Sequence, residues 1–343
     1  MKYKDNFEEV INRYRAFWKK EKADRVLFLA DLGPSFDPPI KYHLQPEKQF
    51  EHFDKVFKER KSYKDDYLPC ATPRLGLATS GGIWGCEIEF TSESSWCKSH
   101  PLDNWDKLSN IVQFKRDSFW YQTILKQTEY LSRRSNGKFC VGQLDPLGPA
   151  DIIDQLRGTS NFLLDFYEHP RELKKLAEII ANQYIKNLNE IHSLLPHPAN
   201  GTCYRIGIWS PGRGVWLGED IANSFSSDHY REFIMPWDRK IIESFDHSYF
   251  HLHTSALHIL DDLMEIKRLN CIEFAEDPDY PTVNIISKIR KVQKEKCVIV
   301  TCNKDEVKDM LKSLDQNGLL LYIRGLENGE EVNEFDKKLK ELA

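Results

Sequence analysis

Short apolar runs alternate with amphipathic stretches along the chain, most regularly from residue 138 onward. A short apolar run between polar or Gly/Pro-rich turns is typical of a buried β-strand, and an amphipathic stretch with helical spacing predicts an α-helix. The predicted strands are 26–32, 139–144, 204–209, 249–253, 271–274, 297–301 and 319–323. The predicted helices are 1–20, 170–194, 227–245, 256–267, 283–293, 304–314 and 332–342. Strands that alternate with helices form parallel sheets covered by helices, so the pattern predicts an α/β fold.

Two arrangements of βα units are common, the closed (β/α)8 TIM barrel and the open doubly wound sheet. The chain has no Gly-x-Gly-x-x-Gly motif after its first predicted strand and no P-loop sequence, which are the marks of nucleotide-binding open sheets. Its 343 residues are a usual length for one barrel. We therefore predict a (β/α)8 TIM barrel that forms a single domain, 1–343.

Residues 65–105 depart from the βα rhythm. They contain Gly81-Gly82, a cluster of aromatic side chains, and alternating apolar positions across 86–90. Alternation of this kind is typical of a β-hairpin. We expect a hairpin or long loop, inserted early in the barrel, that lines the cleft.

Composition and charge exclude several classes of protein. The net charge is -5 with basic and acidic residues interspersed, so nucleic acid is not an expected partner. No apolar run reaches the roughly 20 residues of a membrane-spanning helix, and the amphipathic N-terminus lacks a signal-peptide core, so we expect a cytoplasmic protein. The eight cysteines form no Cys-x-x-Cys pair, which favours reduced, buried thiols.

Polar or aromatic residues follow most of the predicted strands. In a βα barrel the carboxyl ends of the strands meet at one face, where active sites lie. Tryptophans can stack on a flat ligand, and an arginine in a glycine-containing loop suits a carboxylate or phosphate. The candidate catalytic residues are His251, His253, Asp145 and Glu273. The candidate substrate-binding residues are Asp31, Trp84, Glu87, Trp96, Trp209, Arg213 and Asp220.

His251 and His253 lie two apart on a predicted strand, so their side chains point the same way. This geometry suits metal ligation, with Cys302 at the end of a later strand as a third ligand. Two such histidines also occur as simple hydrogen-bonded neighbours. Alternatively, Asp145 and Glu273 form a carboxylate pair that performs acid–base chemistry without a metal.

Several stretches of the chain resemble the uroporphyrinogen decarboxylase-like superfamily, which includes cobalamin-related methyltransferases. The similarity is diffuse and runs over most of the chain. It is carried by Asp151-Ile-Ile-Asp-Gln-Leu-Arg-Gly158, Leu164-Asp165, Pro170-Arg-Glu, the Ser-x-x-x-Tyr-x-x-Phe core of 220–236, and Tyr249-Phe-His-Leu-His253. The resemblance implies a (β/α)8 barrel with a deep cleft.

In the methyltransferase branch, the resemblance implies a zinc ion bound by His-x-Cys and a distant cysteine, a thiol methyl acceptor, and a corrinoid on a partner protein. His251 matches the histidine of this motif, but His253 stands where the first cysteine is expected. Tyr322-Ile-Arg-Gly325 stands where the second is expected, so Cys302 would have to substitute. The decarboxylase branch requires an arginine-rich N-terminal motif that Asp31-Leu-Gly-Pro-Ser-Phe-Asp37 does not reproduce.

Three functions remain open from the sequence. The first is a methyltransferase-type enzyme that acts on a small molecule at the carboxyl face of the barrel, assisted by zinc. The second is a metal-independent lyase or hydrolase that uses paired carboxylates. The third is a non-catalytic barrel that binds a ligand or a corrinoid protein. A monomer and a homodimer are both open.

Overall fold

The computed structural model describes residues 1–33, 37–111, 114–144 and 147–342. The strands in chain order are β1 Leu27–Ala30, β2 Cys70–Ala71, β3 Ile88–Phe90, β4 Ser95–Cys97, β5 Cys140–Val141, β6 Gly201–Cys203, β7 Trp209–Pro211, β8 Gly214–Gly218, β9 His247–His253, β10 Cys271–Ala275, β11 Cys297–Asn303 and β12 Leu319–Arg324. The α-helices are α1 Phe7–Lys19, α2 Pro46–Glu59, α3 Thr79–Gly82, α4 Leu108–Ile111, α5 Phe119–Ser135, α6 Pro149–Arg157, α7 Thr159–Glu168, α8 Pro170–Leu194, α9 Ser227–His229, α10 Met235–Glu243, α11 Leu260–Glu265, α12 Ile286–Gln293, α13 Val307–Ser313 and α14 Gly329–Glu341.

Six parallel strands form the main sheet, in the order β1-β12-β11-β10-β9-β8. In this register His251 lies between Gly218 of β8 and Glu273 of β10. His253 lies opposite Ala275. Because the strands are parallel, their carboxyl ends bring these side chains to the same edge of the sheet.

Side chains along the strands alternate between two buried layers. In β9, Phe250 and Leu252 belong to the outer layer, which packs between the sheet and the helices. Tyr249 belongs to the inner layer and stacks on Trp216, with ring centroids 5.6 Å apart. His251 points to the same side of the strand as Tyr249. The centroids of the His251 and Trp216 rings are 6.0 Å apart in a T-shaped contact. The two histidines of β9 therefore face the inner side of the sheet.

Two buried aspartates join β1 to the chain that leads into β2. The Asp66 N–H donates to the Phe28 carbonyl at 2.8 Å, and the Phe28 N–H donates to Asp66 Oδ2 at 3.0 Å. The Ala30 N–H donates to Asp65 Oδ2 at 3.2 Å. The carboxylates supply the acceptors that a neighbouring strand would otherwise provide, because a buried strand N–H requires one.

The side chain of Gln143 makes the equivalent connection between β5 and β8. The Trp216 N–H donates to Gln143 Oε1 at 2.9 Å, and Gln143 Nε2 donates to the Trp216 carbonyl at 2.6 Å. Strand β5 also pairs in parallel with β2. Strands β2 and β5 thus occupy the arc between β1 and β8, an arrangement compatible with a TIM-type barrel.

Most of the predicted strands are confirmed. The predictions 249–253, 271–274, 297–301 and 319–323 lie within β9, β10, β11 and β12, and β1 lies within the predicted 26–32. The predicted 139–144 shortens to β5. The long helix predicted over 170–194 is α8. The structure therefore confirms an α/β fold with a parallel sheet covered by helices.

The strand predicted over 204–209 is wrong. The chain reverses at Gly207, whose φ of +80° permits a turn that other residues adopt with strain, so β6 and β7 form an antiparallel hairpin. The strand that enters the main sheet is β8. Apolar residues fill both segments, and periodicity alone could not choose between them.

The predicted insertion 65–105 contains the expected hairpin, in which β3 pairs antiparallel with β4. It also contains β2, which the sequence pattern did not predict because only two residues pair. Among the described helices, none has the length and apolar character that a membrane crossing requires.

Candidate metal centre

Asp220, His251 and His253 each direct one potential ligand atom into a common space at the carboxyl edge of the sheet. These three atoms lie within 4.8 Å of one another. His253 Nε2 is 3.5 Å from Asp220 Oδ1, and the two imidazole rings are 4.9 Å apart, edge to face. Two imidazole nitrogens and one carboxylate oxygen form a donor set that binds divalent transition metals.

Two further carboxylates hold the imidazole rings in place. His251 Nδ1 is 2.9 Å from Glu273 Oε2, and His253 Nδ1 is 2.8 Å from Asp277 Oδ1. Each carboxylate favours the tautomer that carries its proton on Nδ1, which leaves Nε2 for a metal. Histidine ligands in metalloproteins are oriented by carboxylates in this way.

The backbone around the cluster is fixed by hydrogen bonds to acidic side chains. The Asp220 and Ile221 N–H groups donate to the two oxygens of Asp151, at 3.0 and 2.9 Å. Asp277 Oδ2 accepts from the Ser255 N–H at 2.9 Å. Burial raises the pKa of Asp151 well above its usual value, and the neighbouring charge of Asp220 adds to this effect.

The electrostatics of the cluster favour positive charge. The close approach of Asp220, with Asp277 on the other side of the ring, raises the pKa of His253 to about 9. Burial alone would lower the pKa of His251, but the charge and hydrogen bond of Glu273 outweigh it and raise that pKa. Burial would raise the pKa of Asp220, yet the two histidines hold it below its usual value.

A metal ion fits this cluster on one further observation. Asp220 Oδ1 is shielded from solvent and has no close hydrogen bond among the described residues, since His253 Nε2 lies 3.5 Å away. A shielded carboxylate oxygen requires a cation or a donor to compensate it, and a metal ion would take that role where His253 is neutral. Three protein ligands with one position left open is the arrangement of catalytic zinc sites.

Metal binding is expected to release a proton from His253 at neutral pH. With a pKa of about 9 the ring is protonated in the metal-free protein, and only the neutral form ligates. The apparent affinity should therefore rise at least about tenfold per pH unit from pH 6.5 upward, because His251, whose pKa is also raised, must be neutral to ligate as well, and it should level off above the pKa of His253. Calorimetry in buffers of different ionisation enthalpy counts the protons.

Asp277→Asn provides the control for this measurement. It removes one of the two charges that raise the pKa of His253, so fewer protons should be released at neutral pH. An affinity that stays constant from about pH 6.5 to 8.5 would contradict the assignment of His253 as a ligand.

Cys302 does not join the histidines. Its side chain is fully buried in the outer layer, between the sheet and the helices. Side chains alternate along β11, so Cys302 points to the same side as Val298 and Val300. Burial raises the pKa of its thiol to about 12. The structure therefore does not bring Cys302 to the histidines, and the third potential ligand atom beside them belongs to Asp220.

Trp209 and Arg213 lie away from the cluster. Trp209 is buried in the inner layer, where its Nε1–H donates to the Pro198 carbonyl at 2.9 Å and its own carbonyl accepts from Trp18 of α1. Arg213 precedes β8 and bonds Asn189 at 2.8 Å, so it lies at the amino end of that strand. The sequence predicts the strand over 204–209, whereas β8 is Gly214–Gly218, so the prediction places both residues too near the carboxyl end of the strand.

The two other tryptophans predicted to bind substrate lie in different surroundings. Trp96, exposed over 63% of its surface, lines a chamber of about 360 Å³ together with Cys97, Asp151 and Asp220. Trp84 is buried against Phe114 instead.

Three further residues are predicted from the sequence to belong to the site. Glu87 is exposed on the chain leading into β3. Asp31 follows β1 and accepts from the Gly33 N–H at 3.0 Å. Asp145 lies outside the described residues.

Sequence reasoning missed several polar groups of the cleft. Arg205, at the tip of the β6–β7 hairpin, pairs with Asp37, and no pattern distinguished it because its segment was predicted as a strand. Burial, with the charges of Asp31 and Glu273, raises the pKa of Tyr322. Tyr322 thus lies between two acidic residues that the sequence did nominate.

Comparison with known proteins identifies the fold. The structure is similar to that of a methyltransferase from Methanosarcina mazei, with a TM-score of 0.67 over 97% of this chain and 98% of that chain. The two sequences are 14% identical, so the similarity establishes a shared fold. No protein-family model matches the sequence, and no curated protein sequence matches it.

Proposed function

We propose that the chain is a single (β/α)8 barrel domain of the uroporphyrinogen decarboxylase-like superfamily and a zinc-dependent methyltransferase-type enzyme acting on a small molecule. The observation that carries this proposal is the cluster of Asp220, His251 and His253, in which a solvent-shielded carboxylate oxygen faces two oriented imidazoles. The fold shared with a solved methyltransferase supports the reaction class.

The closed barrel is part of this proposal. The six-stranded sheet leaves an arc between β1 and β8 that β2 and β5 fill. Asp65, Asp66 and Gln143 bridge the two ends of that arc with hydrogen bonds to strand backbone. Because these side chains accept hydrogen bonds from strand N–H groups, eight strands can form a closed barrel without continuous backbone pairing.

Side chains around the cluster have separate roles in positioning the potential ligands. Glu273 and Asp277 keep the Nδ1 protons in place, so the Nε2 atoms of His251 and His253 stay directed at the cluster. Asp151 fixes the backbone that carries Asp220. A zinc ion held by these residues would supply a Lewis acid able to lower the pKa of a substrate thiol or hydroxyl. Trp96 forms an exposed wall of the adjoining chamber, where the substrate would bind.

A methyl-transfer assay tests the proposal. Protein stripped with a chelator and reloaded with Zn²⁺ is incubated with methylcobalamin, in place of a corrinoid partner protein, and 2-mercaptoethanol. We expect transfer that depends on zinc and falls by at least about 100-fold in His251→Ala, because a ligand is lost. Cys302→Ala serves as the control and should retain zinc and transfer, since this thiol faces the outer layer.

Two outcomes would contradict the proposal. Undiminished transfer by the metal-free protein or by His251→Ala would remove the role of the metal. Zinc binding without any transfer would favour a barrel that only binds a ligand or a corrinoid protein.

A metal-independent lyase or hydrolase is the second candidate. One observation favours it: without a metal, His253 is a protonated acid at neutral pH, with a pKa of about 9. The carboxylate of Glu273, which is hydrogen-bonded to His251, is the candidate base. This candidate requires full turnover in the presence of a chelator, which the zinc-dependent reaction does not allow.

A further inference from the structure

A second cavity lies beside the candidate metal centre, among the early insertion, α5, α6 and α8. We call it the apolar cavity. It has a volume of about 100 Å³. Its apolar walls include Leu75, Ile83, Trp84, Ile152, Ile180 and Leu188.

Three of the polar side chains in these walls are engaged in hydrogen bonds to other parts of the protein. Gln143 bonds the backbone of Trp216, the Tyr121 hydroxyl donates to Glu190 at 2.7 Å, and the Thr79 hydroxyl donates to the Leu75 carbonyl at 2.9 Å. A water molecule in a cavity requires several polar partners, and cavities lined by apolar side chains instead stay dry and bind small apolar molecules. The described walls therefore favour an apolar occupant.

The apolar cavity adjoins the chamber that Asp220 lines. Leu77 and Leu147 line both spaces. Leu147 also forms a β-bridge with Gly218, two residues before Asp220. A ligand that passes between these two leucines would have one end in the apolar cavity and the other in the chamber that contains Asp220.

We infer that the apolar cavity binds the apolar end of the substrate, and that this end is no larger than a single six-membered ring. The inference rests on the proposed function, because it takes the reacting end of the substrate to lie at Asp220, His251 and His253. The substrate class is thus an amphiphilic small molecule, with a metal-binding head such as a thiol and a short apolar tail. A cavity of about 150 Å³ accommodates benzene in another protein, so one ring is the upper limit for this smaller space of about 100 Å³.

Benzene tests the apolar cavity alone, by saturation-transfer NMR on the full-length protein. We expect saturable binding that is lost in Leu188→Phe, where a larger ring fills the space. Ile152→Phe fills the opposite wall and is the second variant in case the first fails to fold. Leu176 lies on the same helix as Leu188 and is buried outside the cavity, so Leu176→Met is the control and should bind benzene as the wild type does. His251→Ala should also keep benzene binding.

Zinc-loaded protein and a series of thiols test the connection between the two spaces. The series places a phenyl ring one to four methylene groups from the sulfur, with ethanethiol as the ring-free reference. We expect at least one phenyl thiol to bind about tenfold or more tightly than ethanethiol, because the ring leaves water. Leu188→Phe and Ile152→Phe should abolish this advantage without changing zinc affinity.

The outcomes separate the two proposals. Absence of benzene binding, or equal affinity for all the thiols in zinc-loaded protein, would overturn the inference while leaving the metal centre intact. Failure to bind zinc, with benzene binding retained, would instead refute the proposed function.

Discussion

Replacing Asp220 with alanine is expected to weaken zinc binding by at least about 100-fold at neutral pH. Loss of a residue that merely orients a metal ligand weakens binding about 10- to 100-fold, and loss of a ligand should exceed that. Asp220 is the only carboxylate of the three-residue cluster found among the described residues. Competition with a chromophoric chelator measures the change.

One effect opposes this loss and can be separated from it. Asp220 is the largest contributor to the raised pKa of His253, so its removal lowers that pKa and reduces competition from protons. The loss of affinity should therefore be larger above the pKa of about 9, where protons no longer compete in the wild type.

Asp154→Asn is the matched control for Asp220→Ala. Asp154 lines the same chamber, but it is not among the three clustered residues that could hold a metal ion. Its replacement should leave zinc affinity within about twofold of the wild type, since a distant carboxylate contributes only a screened charge. Equal weakening by both variants would show that the chamber attracts cations in general, and that Asp220 has no particular role as a ligand.

Asp66→Ala is expected to lower the free energy of unfolding by about 3–5 kcal/mol. The carboxylate is completely buried, and it accepts from Arg13 at 3.1 Å, Arg25 at 2.5 Å and the Phe28 N–H at 3.0 Å. Removing one partner leaves buried guanidinium groups less compensated, which destabilises a fold strongly. It also removes an acceptor that β1 uses in place of a neighbouring strand. Urea denaturation measures the change.

The matched control for Asp66→Ala is Asp261→Ala, which breaks an exposed ion pair. Asp261 lies 2.8 Å from Lys291, and its side chain is 79% exposed. We expect a loss below about 1 kcal/mol, because solvent screens such a pair. If Asp66→Ala lost no more than this control, the buried network would not hold β1 in place.

Much of the sheet follows from the sequence because its strands are separate apolar runs between clear turns. The runs that form β9, β10, β11 and β12 are bounded by polar residues, and their spacing leaves room for one helix between each pair. The position of His251 and His253 at a strand end follows from the same pattern. The arc from β2 to β5 could not be predicted, because strands of two residues carry no periodicity and their connections are made by side chains.

The third member of the metal cluster required the tertiary structure. Both faces of a parallel sheet are buried, so an apolar strand does not reveal which side chains point inward. Cys297 and Ile299 belong to the inner layer, whereas Val298, Val300 and Cys302 belong to the outer one. This alternation sends Cys302 away from the histidines.

The sequence by itself determined the α/β class, the strand that carries His251 and His253, and their common direction, because these depend on local periodicity. Only the tertiary structure decided that Asp220 meets them, that Glu273 and Asp277 orient them, and that Trp209 and Arg213 lie elsewhere. Those contacts join residues more than 20 positions apart, and they depend on strand register and on the turn at Gly207. Register and chain reversal are properties of the packed sheet, so no local pattern specifies them.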